Sequence, residues 1–322
     1  MPRAFASADL TESKPIRLQK LSGSSRSWGA YAYLEKGDPT SGIILGDDGV
    51  MVIDARATPV SAQDVVERVR TITDQPIRYV LLTHYHAVRV LGASAFEGAE
   101  ILASTATRDL IVERGKQDWK SEAQRFPRLF RGLDSIPGLT WPTITFEKSL
   151  TVHLGKLEVQ LLHLGAGHTA GDTVAWLPKQ KTLFAGDLVE NGATPYSGDA
   201  HLGAWPRTLQ RLRALGPKKL VPGRGPAATT PAAVEKAISG TEAYVRALLS
   251  SAKRGRKRSE TLKETYDRTA RYLQKDFGHW EIFDHCLPFN VSRAYDEAQG
   301  ISHPQIWTAK RDLAMWRALE AS

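Results

Sequence analysis

Four short apolar runs, each ending in a residue that can do chemistry, constrain this chain more than any other feature. Residues 77–82 are mostly apolar and stop at Thr83-His84-Tyr85-His86. Residues 159–164 run into Gly165-Ala166-Gly167-His168-Thr169-Ala170-Gly171-Asp172. A third run closes on Phe184-Ala185-Gly186-Asp187, and a fourth on Val221-Pro222-Gly223-Arg224-Gly225-Pro226. The ends of strands in open sheets are where function gathers. Two histidines two apart on extended chain point the same way, and imidazole is the commonest metal ligand. Glycines let backbone approach a ligand closely. Taken singly, each motif also reads as an ordinary turn: a pair of loop histidines, a glycine loop with an incidental histidine, a turn-initiating aspartate, an arginine in a Pro/Gly turn.

The surrounding pattern predicts strands mixed with helices, then helices alone. Residues 1–29 read as a polar arm. Two apolar runs, 42–46 and 50–54, are split by Asp47-Asp48-Gly49, which is hairpin chemistry. Thr58-Pro59 opens a helix, with Thr as N-cap and Pro at the first helical position. Residues 101–103, 173–177, 182–185 and 219–222 read as strands, 105–131 as helical with breaks, and 205–215 as helix. From Thr230-Pro231 only helices follow, the last two as short pieces near 292–298 and 308–319. The pattern suggests an α/β-type core followed by helices alone, and the chain is classed as α+β with a core at 30–230 and a helical C-terminal extension at 231–322.

Composition narrows the function classes. In 322 residues, 42% hydrophobic and 24% charged is ordinary globular usage. A single cysteine, Cys286, excludes an internal disulfide framework and a multi-thiolate zinc site. No apolar run reaches the roughly 18 residues of a membrane span, and the first 20 residues hold no apolar signal core. The chain is read as cytoplasmic, with no membrane partner. Its net charge is +8, but Lys253, Arg254, Arg256, Lys257 and Arg258 supply five of those charges. That run reads as a solvated loop between helices and disfavours a nucleic-acid partner.

In order and spacing the four motifs resemble the metallo-β-lactamase superfamily. That family carries T-H-x-H-x-D-H-x-x-G, then G-H-T-x-G, then a strand ending in G-D, then P-G-H-G. Here stand Thr83-His84-Tyr85-His86-Ala87-Val88-Arg89-Val90-Leu91-Gly92, Gly167-His168-Thr169-Ala170-Gly171, Gly186-Asp187 and Pro222-Gly223-Arg224-Gly225. The hairpin ending in Asp54 is similar to the family's early strand pair. The resemblance spans residues 30–230 and implies a four-layer αββα sandwich. It implies His84, His86 and His168 as first-site metal ligands, with Asp187 in the usual bridging position. Val88, Arg89 and Arg224 occupy the positions of the second site's other ligands, and none of them can bind a metal.

The resemblance thus implies a mononuclear centre, with one Zn ion on three histidines and an open position. Asp187 and His168 are the candidate catalytic residues. Iron on His84, His168 and Asp187 is the alternative, in the manner of the related sulfur dioxygenases. A metal-free binding protein is the rival from another class. Two arginines bring the +2 of the missing ion. Arg89 and Arg224 either pair with Asp187 or, with Tyr85, contact a small, anionic substrate. Val88 lacks the carboxylate that helps amide cleavage, which points to an ester or thioester. Asp199 and His201 are further candidates on the next loop, as is Asp284-His285-Cys286 in the extension. His153 and His163 read as sheet residues. The C-terminal helices are a candidate homodimer surface.

Overall fold

The computed structural model describes residues 16–21, 26–31 and 36–320. Two sheets carry the motifs. The first has seven strands in sequence order: β1 (Arg17–Lys20), β2 (Ser27–Tyr31), β3 (Ser41–Leu45), β4 (Val50–Ile53), β5 (Ile77–Leu81), β6 (Glu100–Ser104) and β7 (Ile144–Phe146). β1 to β4 pair antiparallel, and β4 to β7 pair parallel. The second sheet holds β8 (Ser149–Leu154), β9 (Leu157–Leu162), β10 (Val174–Leu177), β11 (Thr182–Gly186) and β12 (Lys219–Pro222). Its spatial order is β12-β11-β10-β9-β8.

The strands β4, β10 and β11 are buried along their whole length, as continuous apolar runs covered on both faces should be. Between the sheets, Ile44, Met51, Leu81, Val159, Leu161 and Phe184 form one apolar layer. Outside the first sheet lie α1 (Pro59–Arg70), the single turn α2 (Ala87–Val90) and α3 (Thr105–Arg125). Outside the second lie α4 (Trp205–Ala214), α5 (Pro231–Lys257), α6 (Leu262–Phe277) and α7 (Phe283–Ala298), with α8 (Ala309–Glu320) against α6. The result is the four-layer αββα sandwich with a helical extension.

Local chemistry sets the elements. Gly46 N–H donates to Gly49 O at 2.8 Å and closes the β3–β4 turn. Thr58 caps α1 in a reciprocal capping box with Ser61, and Pro59 follows at the first position. Gly92 N–H donates to Arg56 O, and a Cβ there would stand 2.1 Å from Ala55 O and 2.8 Å from Thr58 O. Gly92→Ala must push these backbones apart. It is expected to cost about 1–3 kcal/mol by equilibrium urea unfolding.

Three sequence expectations are corrected. Part of the N-terminal arm is sheet: β1 and β2 pair with each other and with β3. Residues 1–15 lie outside the described residues. The basic run is not a loop between helices, because residues 253–257 form the last turns of α5. The buried face of α5, through Leu248, Ala252 and Gly255, carries the helix past the charges. Cations near a helix C-terminus are also favoured by its dipole. Finally, the short helix expected near residue 292 is the end of the 16-residue α7, which starts at Phe283 and contains Pro288.

Candidate metal centre

Three histidines converge where the two sheets end. β5 delivers His84 and His86, and the glycine loop after β9 delivers His168. Their ring centroids are 4.6–4.8 Å apart, and their planes are nearly perpendicular. Each ring is held from outside. His84 Nδ1 lies 2.9 Å from Thr83 Oγ1, His168 Nδ1 lies 2.9 Å from Tyr196 O, and His86 Nε2 lies 3.3 Å from Asp199 Oδ2. This leaves His84 Nε2, His86 Nδ1 and His168 Nε2 turned toward one another. Among the described residues, these three histidines are the group placed to hold a metal ion. His84 Nε2 is buried without a hydrogen-bond partner. An orphaned imidazole nitrogen aimed at two others is a donor set that fits a cation.

The inner rings are set up as ligands. Burial drives His84 well below the usual imidazole range and takes His168 down to about 3, so both are neutral. Burial opposes the charge on His86 too, but Asp118, Asp199 and Glu122 push it up to about 9. Asp54 anchors the motif from below. It ends β4 in a left-handed conformation and accepts both Thr83 N–H and Thr83 Oγ1–H at 2.9 Å. The free N–H groups at the start of α2 are capped from α3: Asp118 accepts from Ala87 N at 2.6 Å and Glu122 from Val88 N at 3.0 Å.

Arginines fill the other half of the site. Asp187 Oδ1 accepts from Arg89 Nη2, and Oδ2 accepts from Arg224 Nη1 at 2.6 Å. The same Oδ2 lies 3.8 Å from His84 Nε2 and 3.6 Å from His168 Nε2. Burial alone would raise the Asp187 carboxyl, but Arg89 and then Arg224 hold it well below the usual range. Arg89 is 0% exposed and also donates to Thr40 O at 2.9 Å and Gly223 O at 2.8 Å. The turn carrying Arg224 can sit this close only because of Gly223, where a Cβ would meet Asp187 Oδ1 at 2.2 Å. Arg224 is 6% exposed and shares Nη1 with Glu190 Oε1 at 3.1 Å. Burial and the neighbouring Asp187 push Glu190 up to about 8. Val88 is packed in the apolar layer of the first sheet.

The other sequence candidates lie around this centre. Tyr85 packs in the same apolar layer, with its ring centroid 4.5 Å from that of His86. Asp199 reaches His86, whereas the His201 backbone N–H donates to Gly167 O. His285 tilts against Phe126 at 4.2 Å. His163 Nδ1 lies 2.8 Å from Asp172 O, and His153 sits within β8. Cys286 is buried behind Thr194, and burial pushes its thiol up to about 12. It should therefore resist alkylation in the native protein and react fully once unfolded, as mass spectrometry after iodoacetamide treatment would read out.

Sequence reasoning missed Arg114, Asp118, Glu122, Glu190 and Tyr196. Arg114, Asp118 and Glu122 did leave a signal. They recur every four residues, so an unbroken helix there puts three charges on one face.

The comparisons agree with this geometry. The sequence profile of the Metallo-beta-lactamase superfamily matches residues 35–224. The type 2 metallo-beta-lactamase of Bacteroides fragilis is 28% identical over 198 residues, 58% of this chain and 69% of that protein. The type 2 enzyme of Bacillus cereus is 26% identical over 195 residues, 58% and 67% of the two chains. Among solved structures, a metallo-beta-lactamase from Pontibacter korlensis superposes with a TM-score of 0.57 at 23% identity. The match covers 72% of this chain and 99% of that one. The FIM-1 enzyme from Pseudomonas aeruginosa gives 0.56 at 18% identity, over 74% and 97%. With four ordered motifs at the ends of a two-sheet sandwich, this chain belongs to the metallo-beta-lactamase superfamily.

Proposed function

We propose that this protein is a hydrolase working through one metal ion, held by His84, His86 and His168, on an ester, thioester or other small anionic substrate. One observation carries the reading. Three imidazole nitrogens converge, while the place of a second ion is filled by Arg89 and Arg224 around Asp187. Zinc on three imidazoles, with His86 giving up its proton to let the ion bind, would supply Lewis acidity and lower the pKa of water to about 7. The chain's own groups do the rest. Thr83, Tyr196 and Asp199 fix the three rings. Asp187, kept ionised, faces the histidines with an acceptor oxygen for a water molecule. Arg89 is fully enclosed and serves Asp187 and two carbonyls. Arg224 is the better substrate contact, because it commits only Nη1 to acidic partners. Three converging imidazoles are a donor set that suits zinc, which is the metal of this reading, with iron on His84, His168 and Asp187 the alternative.

The test is a substrate panel on zinc-loaded protein. Aryl esters and thioesters bearing a carboxylate are expected to turn over faster than matched lactams or amides. Arg224→Met should raise KM for the anionic ester by about tenfold or more, the worth of one charged hydrogen bond, with metal content unchanged. Equal KM changes for charged and neutral esters would remove Arg224 from substrate binding. No turnover of any substrate by metal-loaded protein would favour a binding protein.

A further inference from the structure

We infer that the C-terminal helical extension is a positioning shell of the metal centre, acting through the loop 194–203. This rests on the reading that the three histidines hold a metal. Residues 194–201 contain no helix or strand, so their backbone groups need partners from elsewhere. The extension supplies them. Asn290 accepts Ser197 N–H at 2.6 Å and donates to Pro195 O at 2.8 Å. Arg293 Nε donates to Ala200 O at 2.7 Å. Glu297 accepts Leu202 N–H at 3.0 Å and Gly203 N–H at 2.7 Å. The positions 290, 293 and 297 share one face of α7, so a single helix face grips the loop at three levels. Beyond α7, Trp307 Nε1 donates to Gly198 O at 3.2 Å.

The loop passes this hold on to two of the three ligands. Tyr196, between the two residues tied to Asn290, gives its carbonyl to His168 Nδ1. Asp199, between Gly198 and Ala200, gives Oδ2 to His86 Nε2. Its other oxygen lies 3.3 Å from Arg114 Nη1, and Arg114 Nη2 donates to Pro304 O at 3.3 Å. Each of these two rings therefore has a route outward that ends on residues beyond 280, beside ties to α3 through Arg125 to the Tyr196 hydroxyl and through Arg114 to Glu113. Partners that orient ligating histidines are worth about 10–100-fold in metal affinity when lost.

Two substitutions break the hold without touching a ligand. Asn290→Leu keeps the branched shape at a larger volume and loses both loop bonds, together with the bond to the Tyr244 hydroxyl. Trp307→Phe keeps an aromatic ring beside Phe289 and loses the bond to Gly198, along with part of the indole packing and of the Arg311 contact. Leu313→Ser, at an exposed position of α8, is the control. Zn²⁺ affinity is measured by chelator competition, with circular dichroism confirming the fold. Both loop-directed variants should bind Zn²⁺ about 10–100-fold more weakly, and the control within twofold of the wild type. Folded variants with wild-type affinity would make the extension a support for the fold alone. If Asn290→Leu does not fold, Trp307→Phe decides. Side-chain ¹⁵N spectra of the metal-free chains give a second readout. His86 and His168 should each show one sharp pair of ring-nitrogen signals in the wild type and broadened or doubled pairs in the loop-directed variants. Unchanged signals would overturn the inference even if the wild type bound no metal, an outcome that would separately sink the proposed function.

Discussion

Protein carrying both His84→Ala and His168→Ala is expected to bind no metal and to lose the thermal stabilisation that Zn²⁺ gives the wild type. The two substitutions remove two of three converging nitrogens and leave His86 Nδ1 alone, which cannot hold an ion against water. Stabilisation by a ligand follows its affinity, about 2.7 kcal/mol at a free concentration of 100 times Kd. Elemental analysis after purification without chelator should give one metal per wild-type chain and none for the double variant. His153→Ala, within β8 and away from the centre, should match the wild type. Metal retained by the double variant would move the site elsewhere. Two metals per wild-type chain would contradict the assignment of the second half to arginines.

Arg89→Met is expected to be the most destabilising single change at the centre. Arg89 is wholly buried and faces Asp187, with Asp54 Oδ2 3.7 Å from Nη1. Its removal leaves buried carboxylates short of a cation and takes a donor from the carbonyls of Thr40 and Gly223, the latter keeping only Thr40 N–H. Breaking a buried pair from one side costs about 3–5 kcal/mol. In a chain of this size that lowers Tm by on the order of 10 °C. Arg224→Met should cost less, because Arg224 reaches solvent and Asp187 keeps Arg89. Adding Asp187→Asn to Arg89→Met should recover part of the loss, since the uncompensated charge goes with it. Additive costs in that cycle would mean that the two groups do not interact energetically.

Much of this centre was legible because its motifs are local. A strand followed at once by Thr-His-x-His, or by Gly-His-Thr, puts its side chains at a sheet end whatever the rest of the chain does. The same locality made the β3–β4 hairpin and the start of α1 readable from Asp47-Asp48-Gly49 and Thr58-Pro59. What stayed hidden depends on contacts between distant parts of the sequence. Asp118 and Glu122 cap α2 from 31 and 34 residues away. Asn290 meets Ser197 across 93 positions. No spacing rule predicts such pairs until the fold is known. β1 was missed for a related reason, since a polar edge strand such as Arg17–Lys20 carries little apolar periodicity. The basic run misled because charge suggests a loop, while helix propensity and the buried face of α5 decide otherwise.

Arg89 and Arg224 are also charges that arrive by translation. Asp187 meets both its cations as soon as the chain folds, without waiting for an ion from the cell. Where metal binding and folding are the same event, chelators denature the protein and supply limits its abundance. On the proposed one-metal reading, only the histidine half of the site would depend on supply. Stripped of metal, the chain keeps its Asp187 cluster and both sheets. If the proposed zinc site is right, a cell short of zinc would hold an inactive but intact reserve, restored by an ion rather than by new synthesis.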